Sequence, residues 1–287
     1  MGSPCQLQFY ADSPQQAEAV NISVVKRIAQ LEQRYSRYRE DSLISHINRN
    51  AGTGVETQID TETVALLHYS EQCYQESGHL FDVTSGVLRR LWHFDQTQLP
   101  GARDIQAVLP LIGWEKVQWT DTTIYLPQIG MELDFGGIVK EYAADVAAGL
   151  CQQQGINSGI IELGGDVRII GPLPDGRGWP VAIRDPRQPD KTVAEFELKS
   201  GALASSGDYE RFQLIDGIRY SHILNPKTGW PVAGLRAVSI VAEQCVVAGS
   251  LATIAMLQAN AGLGWLQKLH VAFLCCKNSG QIVNKLT

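Results

Sequence analysis

Four short stretches of the sequence carry polar residues that packing alone does not readily explain. The first, GHLFDVTSG at 78–86, places Asp82 among apolar residues and close to Thr84. A carboxylate at such a position either caps the helix that follows, by accepting backbone N–H groups, or contacts a bound ligand. These residues alone favour neither interpretation.

The second stretch, MELDFGGIVKEYAAD at 131–145, has the composition of an anion-binding corner. Asp134 ends an apolar strand, Gly136 and Gly137 let a backbone approach closely, and a helix is expected to begin there. The free N–H groups and positive end of that helix would attract an anion, and Lys140 adds a cation one turn later. The glycines do not match G-x-G-x-x-G, so a tight turn with Asp134 as helix N-cap is the alternative.

A second glycine pair occurs in the third stretch, IIELGGDVRIIG at 160–171, between Glu162 and Asp166. Each pair follows an apolar strand. Together they predict two backbone walls of one ligand cleft.

The fourth region, 204–231, contains the segments ASSGDYERF and YSHILNPKTGWP. His222 lies there in an alternating, strand-like segment, directly before the turn 225–229 with its potential phosphate donors. A histidine in a strand is more often structural than catalytic. Its position before this turn nevertheless favours a functional role.

The composition is that of a globular protein. The 287 residues include 44% hydrophobic and 19% charged residues, with a formal net charge of −6. Disordered chains combine low hydrophobicity with high net charge, and nucleic-acid binding without sequence preference needs clustered cations, so neither class is expected. The longest apolar stretches, such as 246–257, are too short to span a bilayer.

The elements that position these stretches mix helices and strands. Alternation predicts a strand at 5–11, and Ser13-Pro14 with Gln16 predicts the start of a long amphipathic helix. Further helices are expected at 61–77 and from Gly136-Gly137 to Gly155, with a hairpin at 116–126. From residue 158 strands dominate, interrupted by helices at 246–258 and 262–269. Strict βαβ alternation is lacking, which favours an α+β fold of mixed sheets with flanking helices. Loop or lobe boundaries are expected at 95–104 and 171–180.

Taken together, these stretches resemble the FAD:protein FMN transferases, the ApbE-like flavin transferase family. The resemblance covers essentially the whole chain and implies an architecture related to the T-fold. It implies one domain over 1–287, and a division into two lobes with the FAD cleft between them stays open. The segments that follow in the family's order are MGSPC, RYREDSLISHIN, GHLFDVTSGVLRRLW, LDFGGIVKEYAAD, ELGGDVRIIG, SSGDYERF, YSHILNPKTGWPV and SLAT.

The resemblance implies an FAD cleft. Its implied cofactor-binding residues are Met1, Tyr38, Leu80, Phe81, Asp82, Asp134, Lys140 and Leu224. Met1 and Tyr38 would contact the isoalloxazine, with the Tyr38 ring able to stack on it. Magnesium would bridge the pyrophosphate, held by the backbone carbonyl of Gly137 and by Thr253.

The implied reaction moves FMN from FAD to a Thr hydroxyl of a target flavoprotein and releases AMP. Attack on a pyrophosphate needs charge neutralisation, positioned donors and a base for the hydroxyl. Among the six histidines, His222 alone lies among these motifs in a strand–turn context, so it is the predicted base. An imidazole with a pKa near ~6.5 suits proton removal at neutral pH.

The sequence departs from the family at the metal motif A-D-A-x-x-T. Here residues 248–253 read AGSLAT, so Gly249 replaces the metal carboxylate. Metal capture would then depend on the FAD pyrophosphate or on a nearby acid such as Asp166 or Asp208. Transfer remains the expected activity. Hydrolysis of FAD to FMN and AMP, and flavin binding without turnover, are the alternatives.

The compartment follows from the cysteines and the N-terminus. Six cysteines without a C-x-x-C pair suggest buried or reduced thiols in a reducing compartment rather than a disulfide framework. Met1 itself occupies the family's opening motif and no signal-like segment precedes it, so a cytoplasmic protein is expected. The expected partners are FAD and a flavin-accepting protein, without nucleic acid or membrane.

Overall fold

A seven-stranded antiparallel sheet forms the centre of the structure, a computed structural model that describes residues 4–96 and 98–286. Its spatial order is β1-β5-β6-β9-β12-β13-β14. The strands are β1 Cys5–Phe9, β5 Gly159–Leu163, β6 Asp166–Gly171, β9 Ala202–Gly207, β12 Leu235–Ala242, β13 Ala272–Lys277 and β14 Ile282–Lys285. The first strand therefore pairs with β5, at least 150 residues later, so distant parts of the chain share one sheet.

Three smaller sheets accompany the central one in the part of the chain that the structure describes. Their strands are β2 Thr57–Gln58, β3 Gln118–Trp119 and β4 Thr123–Tyr125 in one sheet, β7 Trp179–Asp185 with β8 Gln188–Leu198 in another, and β10 Phe212–Ile215 with β11 Ile218–Ser221 in the third. The hairpin predicted at 116–126 is confirmed as β3 and β4. The α+β class with mixed sheets and flanking helices is likewise confirmed.

Within the described residues, seven α-helices flank the sheets. They are α1 Pro14–Tyr35, α2 Leu43–Arg49, α3 Thr61–Glu76, α4 Ala102–Val108, α5 Val139–Gln153, α6 Cys245–Leu257 and α7 Gly262–Leu269. The predicted start of α1 is confirmed, since the Ser13 hydroxyl accepts a hydrogen bond from the Gln16 N–H at 3.2 Å. Among residues 4–96 and 98–286, no helix has both the length and the apolar character needed to cross a membrane.

The packing of α5 on α6 determines where the cleft residues lie. Helix α5 packs against α6, and four alanines on one of its faces are buried: Ala143, Ala144, Ala147 and Ala148. Asp145, on α5, accepts hydrogen bonds at 2.9 Å from the backbone N–H groups of Cys245 and Val246. These bonds hold the N-terminus of α6 against α5, because the first amides of a helix lack intrahelical partners.

Three predicted boundaries differ from the structure. Helix α5 begins at Val139 rather than at the glycine pair, because Gly136 and Gly137 form a turn before it. His222 lies one residue beyond β11 instead of within a strand. The expected loops are shorter, since α4 begins at Ala102 and β7 at Trp179.

Candidate active site

One cleft of about 660 Å³ brings together every predicted site residue that the structure describes. These are Tyr38, Leu80, Phe81, Asp82, Asp134, Gly137, Lys140, His222, Leu224 and Thr253. Met1 lies outside the described residues. Elements far apart in sequence therefore meet at one place: the loop after α1, the segment before 86, the start of α5, the region after β11 and the end of α6.

The floor of the cleft includes the start of α5. Ile138 is the N-cap residue and no side chain caps the helix. The Val139 N–H donates to the Phe135 carbonyl oxygen at 2.9 Å, and the positive end of the helix lies at the cleft. The predicted N-cap role of Asp134 is wrong, because its Oδ1 accepts from the Gly136 N–H at 2.8 Å, in the turn before the helix. Gly164, from the second glycine pair, lines the same cleft. This arrangement suits a bound anion.

Lys140 is held by two carboxylates. Its ammonium group contacts Asp166 and lies 3.0 Å from Oε1 of Glu141. Burial opposes the charge on Lys140, but attraction to Glu141 and Asp166 outweighs it, so the pKa of Lys140 is raised above its usual value. Asp166 also accepts from the Ser205 backbone N–H at 3.0 Å. The cation is therefore permanently charged and fixed at the cleft.

Glu141 is a cleft residue that the sequence did not reveal as functional. It is 8% exposed, and its Oε2 has no hydrogen-bond partner among the described residues. Burial raises the pKa of its carboxyl above the usual range, and repulsion by Asp166 adds to that while Lys140 opposes it. A buried carboxylate oxygen without a partner is costly, so a ligand or a proton is needed to satisfy it.

Two arginines approach Asp134 from the cleft wall. Arg37 places a guanidinium nitrogen 3.2 Å from Oδ2 of Asp134, and Nε of Arg89 lies 3.6 Å from the same oxygen. Arg37 also donates to the Gly86 carbonyl oxygen at 2.8 Å. Asp134 therefore orients two cations at the cleft.

Tyr38 presents an open aromatic ring. The residue is 75% exposed, and its hydroxyl accepts a hydrogen bond from Arg89 at 3.0 Å. The Arg37 guanidinium lies 5.9 Å from the centre of the ring. Arg89 thus holds the hydroxyl and Arg37 lies near the ring, while most of the side chain stays exposed. The ring is therefore available for stacking with a planar ligand.

Asp82 turns out to organise the protein around the cleft. Oδ1 accepts from the Thr84 N–H and hydroxyl, at 2.8 and 2.6 Å, and Oδ2 accepts from the Trp114 N–H at 3.1 Å. A 3₁₀ helix, Ser85–Arg90, follows; its N-cap residue is Thr84, which makes no side-chain capping bond, so the capping interpretation of Asp82 is wrong. Both carboxylate oxygens already have protein partners, and their role is to fix the segment around Trp114.

Leu80 and Phe81, the two apolar residues before Asp82, are held by the residue that follows α3. The Ser77 hydroxyl accepts from the Leu80 and Phe81 N–H groups, at 3.0 and 2.8 Å. Phe81 packs beneath the glycine turn, since a Cβ on Gly137 would lie 3.3 Å from its ring. A side chain at position 137 would therefore crowd the cleft floor.

His222 is neutral in this setting. Its Nδ1 lies 3.1 Å from the Arg211 carbonyl oxygen, which can only accept, so Nδ1 carries the proton and Nε2 keeps its lone pair. Burial, with repulsion by Arg89 and Arg211, lowers the pKa of His222 to about 4 although the bond to Arg211 opposes this. The expected pKa near ~6.5 is therefore wrong for the ligand-free protein.

The turn after His222 contributes less than expected. Leu224 lines the cleft, but the Lys227 ammonium donates to the Gly78 carbonyl oxygen at 2.9 Å and fastens the turn to the end of α3. Asn225 accepts from the Lys227 N–H at 2.8 Å, within the turn itself. These potential phosphate donors are thus used to hold the turn.

Position 249 lies where α6 meets α5. A Cβ on Gly249 would lie 2.6 Å from Cγ of Glu141, so this glycine leaves the space that Glu141 occupies. Thr253, one turn later, shares a hydrogen bond of 2.8 Å with the Ser206 hydroxyl. Asp208, an acid that sequence reasoning had considered for a metal, lies 3.1 Å from Arg219.

No group of three or more His, Cys, Asp or Glu side chains suited to a metal ion occurs in the described part of the chain. A divalent cation here would therefore need oxygen atoms from a ligand as well as from the protein. Phosphate oxygens commonly fill that role for Mg²⁺.

The site defines a class of protein: one that binds a phosphorylated ligand with an aromatic ring. The N-terminus of α5 and Lys140 supply positive charge at the cleft, and Tyr38 offers a stacking surface. The chain belongs to the ApbE family, whose sequence model matches residues 1–275.

Known proteins similar to this chain agree with that assignment. An FAD:protein FMN transferase of Treponema pallidum is 30% identical over 273 residues, covering 88% of this chain and 75% of that protein. One from Vibrio cholerae is 28% identical over 243 residues, covering 83% and 72%. The crystal structure of the ApbE protein from Thermotoga maritima superposes with a TM-score of 0.88 at 29% identity, covering 99% and 94% of the two chains.

Proposed function

We propose that this protein transfers FMN from FAD to a threonine hydroxyl of a target flavoprotein and releases AMP. The observation that carries the proposal is the single cleft in which an exposed aromatic ring, a helix N-terminus with Lys140, and a neutral histidine lie together. The similarity to FAD:protein FMN transferases over most of the chain supports it.

Binding of FAD divides between two surfaces in this proposal. The diphosphate would face the N-terminus of α5, whose positive end attracts an anion, beside the ammonium of Lys140, which is shared with Asp166 and Glu141. The isoalloxazine would stack on Tyr38, whose ring is exposed and held by Arg89. Leu80, Phe81 and Leu224 would provide apolar contacts along the same cleft.

His222 is the proposed general base. Its unprotonated Nε2 would take the proton as the threonine oxygen attacks the phosphorus of the FMN half, and the bond from that phosphorus to the bridging oxygen breaks as AMP leaves. A pKa of about 4 makes a weak base. The negative charge of the bound diphosphate would raise it again, since a nearby anion stabilises the imidazolium.

Magnesium is part of the proposal. The residues fit such an ion, because Gly137, Thr253 and Glu141 line one cleft and Oε2 of Glu141 has no partner among the described residues. When bound, magnesium would neutralise charge that develops on the pyrophosphate oxygens. Removal of divalent cations with a chelator should therefore abolish transfer, and added Mg²⁺ should restore it.

The decisive experiment uses purified protein, FAD, Mg²⁺ and candidate acceptor domains, with the acceptor's mass as the readout. An acceptor that gains the mass of FMN, with AMP released in equal amount, supports transfer. AMP without a mass gain indicates FAD hydrolysis, and neither product indicates a flavin binder; both results contradict the proposal.

We also propose a reducing compartment, the cytoplasm. Five cysteines are buried thiols: Cys73, Cys151, Cys245, Cys275 and Cys276. Cell fractionation checks this, since recovery of the protein outside the cytoplasm would contradict it.

A further inference from the structure

Glu141 occupies an unusual position for a carboxylate. It lies in the first turn of α5, is 8% exposed, and lines the candidate active site. Its Oε1 lies 3.0 Å from the Lys140 ammonium, whereas Oε2 has no hydrogen-bond partner among the described residues. One carboxylate oxygen at the cleft is therefore left for a ligand.

The space for this side chain is provided by Gly249. A Cβ at that position would lie 2.6 Å from Cγ and 3.0 Å from Cδ of Glu141. Glycine inside a helix costs about 0.5–1 kcal/mol relative to alanine. Here the glycine admits a carboxylate from the neighbouring helix to the place where a side chain of α6 would otherwise lie.

Two neutral oxygen atoms lie close in the chain to this contact. Thr253 follows Gly249 by four residues on α6, a spacing at which residues share a face of a helix. Gly137 lies in the turn directly before α5. Gly137, Glu141 and Thr253 all line the same cleft. Since α5 packs against α6, the carboxylate, the carbonyl and the hydroxyl belong to one junction.

The charges at this junction leave a place for a cation. Lys140 contacts both Asp166 and Glu141, so this trio carries one more negative than positive charge when both acids are ionised. Asp166 already has Lys140 and the Ser205 N–H as partners. Mg²⁺ typically binds through one or two carboxylates together with substrate phosphates and water.

We propose that Glu141 supplies the carboxylate ligand for the divalent cation that is bound together with the FAD diphosphate. The carboxylate would thus come from α5, opposite Gly249, rather than from α6. The proposal rests on the proposed function for the identity of the diphosphate.

The test measures Mn²⁺ binding by calorimetry and electron paramagnetic resonance, on protein saturated with FAD and without an acceptor protein. Glu141→Gln keeps the size of the side chain and should weaken Mn²⁺ binding at least about tenfold. Glu210→Gln is the matched control, because Glu210 also lines the cleft, whereas the atoms nearest to a Cβ on Gly249 belong to Glu141. It should leave Mn²⁺ affinity within about twofold.

A second variant moves the carboxylate back to α6. Gly249→Asp alone brings its Cβ against Glu141 and should give no gain in Mn²⁺ affinity. In Glu141→Ala/Gly249→Asp the obstruction is removed, and affinity should return to within several-fold of wild type. This variant also tests the proposal if Glu141→Gln folds poorly.

Three results would overturn the proposal: unchanged Mn²⁺ affinity in Glu141→Gln, no recovery in the double variant, or no Mn²⁺ binding to the wild-type protein with or without FAD. A failure of the proposed function is seen separately. It would appear as absence of FAD binding in a metal-free fluorescence titration, or as absence of transfer while the Mn²⁺ results hold.

Discussion

The strongest test of the proposed chemistry concerns His222. In the free protein its pKa is lowered to about 4, so Nε2 is unprotonated throughout the neutral range. His222→Asn removes that proton acceptor while keeping a polar side chain of similar reach. A general base contributes about 10²–10⁴-fold in rate, equivalent to about 3–5 kcal/mol.

The pH dependence distinguishes a base from a structural histidine. Because kcat/KM reports the free enzyme, its acid limb should fall near pH 4 in the wild type, well below the ~6.5 of an unperturbed imidazole. Arg211→Gln removes a cation that disfavours the imidazolium but keeps the backbone carbonyl that accepts from Nδ1. Protonation then becomes easier, and the acid limb should move to higher pH.

The assay is transfer to an acceptor domain, quantified by mass across a pH series. His46→Asn is the control, since His46 is an exposed residue of α2. FAD affinity should survive in His222→Asn. Transfer at near wild-type rate by that variant, or an acid limb that does not rise in Arg211→Gln, would refute the assignment.

Three further predictions concern binding and stability. Tyr38→Ala should weaken FAD binding by about 1–3 kcal/mol in a fluorescence titration. Its melting temperature should not change, because the residue is 75% exposed. Tyr38→Phe should bind FAD normally, and unchanged FAD affinity in Tyr38→Ala would show that the ring does not contact the flavin. Asp145→Ala should lower unfolding free energy by about 1–2 kcal/mol in denaturant titration, since two α6 amides lose their acceptor; an unchanged midpoint would contradict that. Lys140→Met should lower the free energy of unfolding by about 3–5 kcal/mol in the same titration, because Asp166 and Glu141 lose their shared cation. A decrease of less than about 1 kcal/mol would contradict this prediction.

Local patterns predicted much of the fold. The Ser13 cap, the first-turn Pro14 and the periodic apolar residues of α1 lie within one stretch, so short-range spacing was sufficient. Boundaries near glycines were less predictable: Gly136 and Gly137 are compatible with a helix start, but the bond from the Gly136 N–H to Asp134 forms a separate turn.

The electrostatic surroundings of the site residues could not be predicted from the sequence. Nothing near His222 in the chain indicates that Arg89, more than 130 residues earlier, lowers its pKa. The same holds for Asp82, whose second oxygen accepts from Trp114, 32 residues later. Both effects arise from packing between segments, which periodicity does not report.

Position 249 shows why a motif can mislead when it is considered one position at a time. By sequence alone, glycine at this place means a lost carboxylate, and the acids proposed to replace it were Asp166 and Asp208. In the structure Asp166 is paired with Lys140 and Asp208 with Arg219. Glu141, 108 residues before Gly249, also contacts Lys140 through Oε1, but its Oε2 has no partner among the described residues, and its side chain points into the space that the glycine leaves. Coordination of a metal ion depends on the positions of the oxygen atoms around it, whichever helix carries them. A glycine on α6 and a glutamate on α5 therefore have to be interpreted as a pair, and the double variant tests them as one.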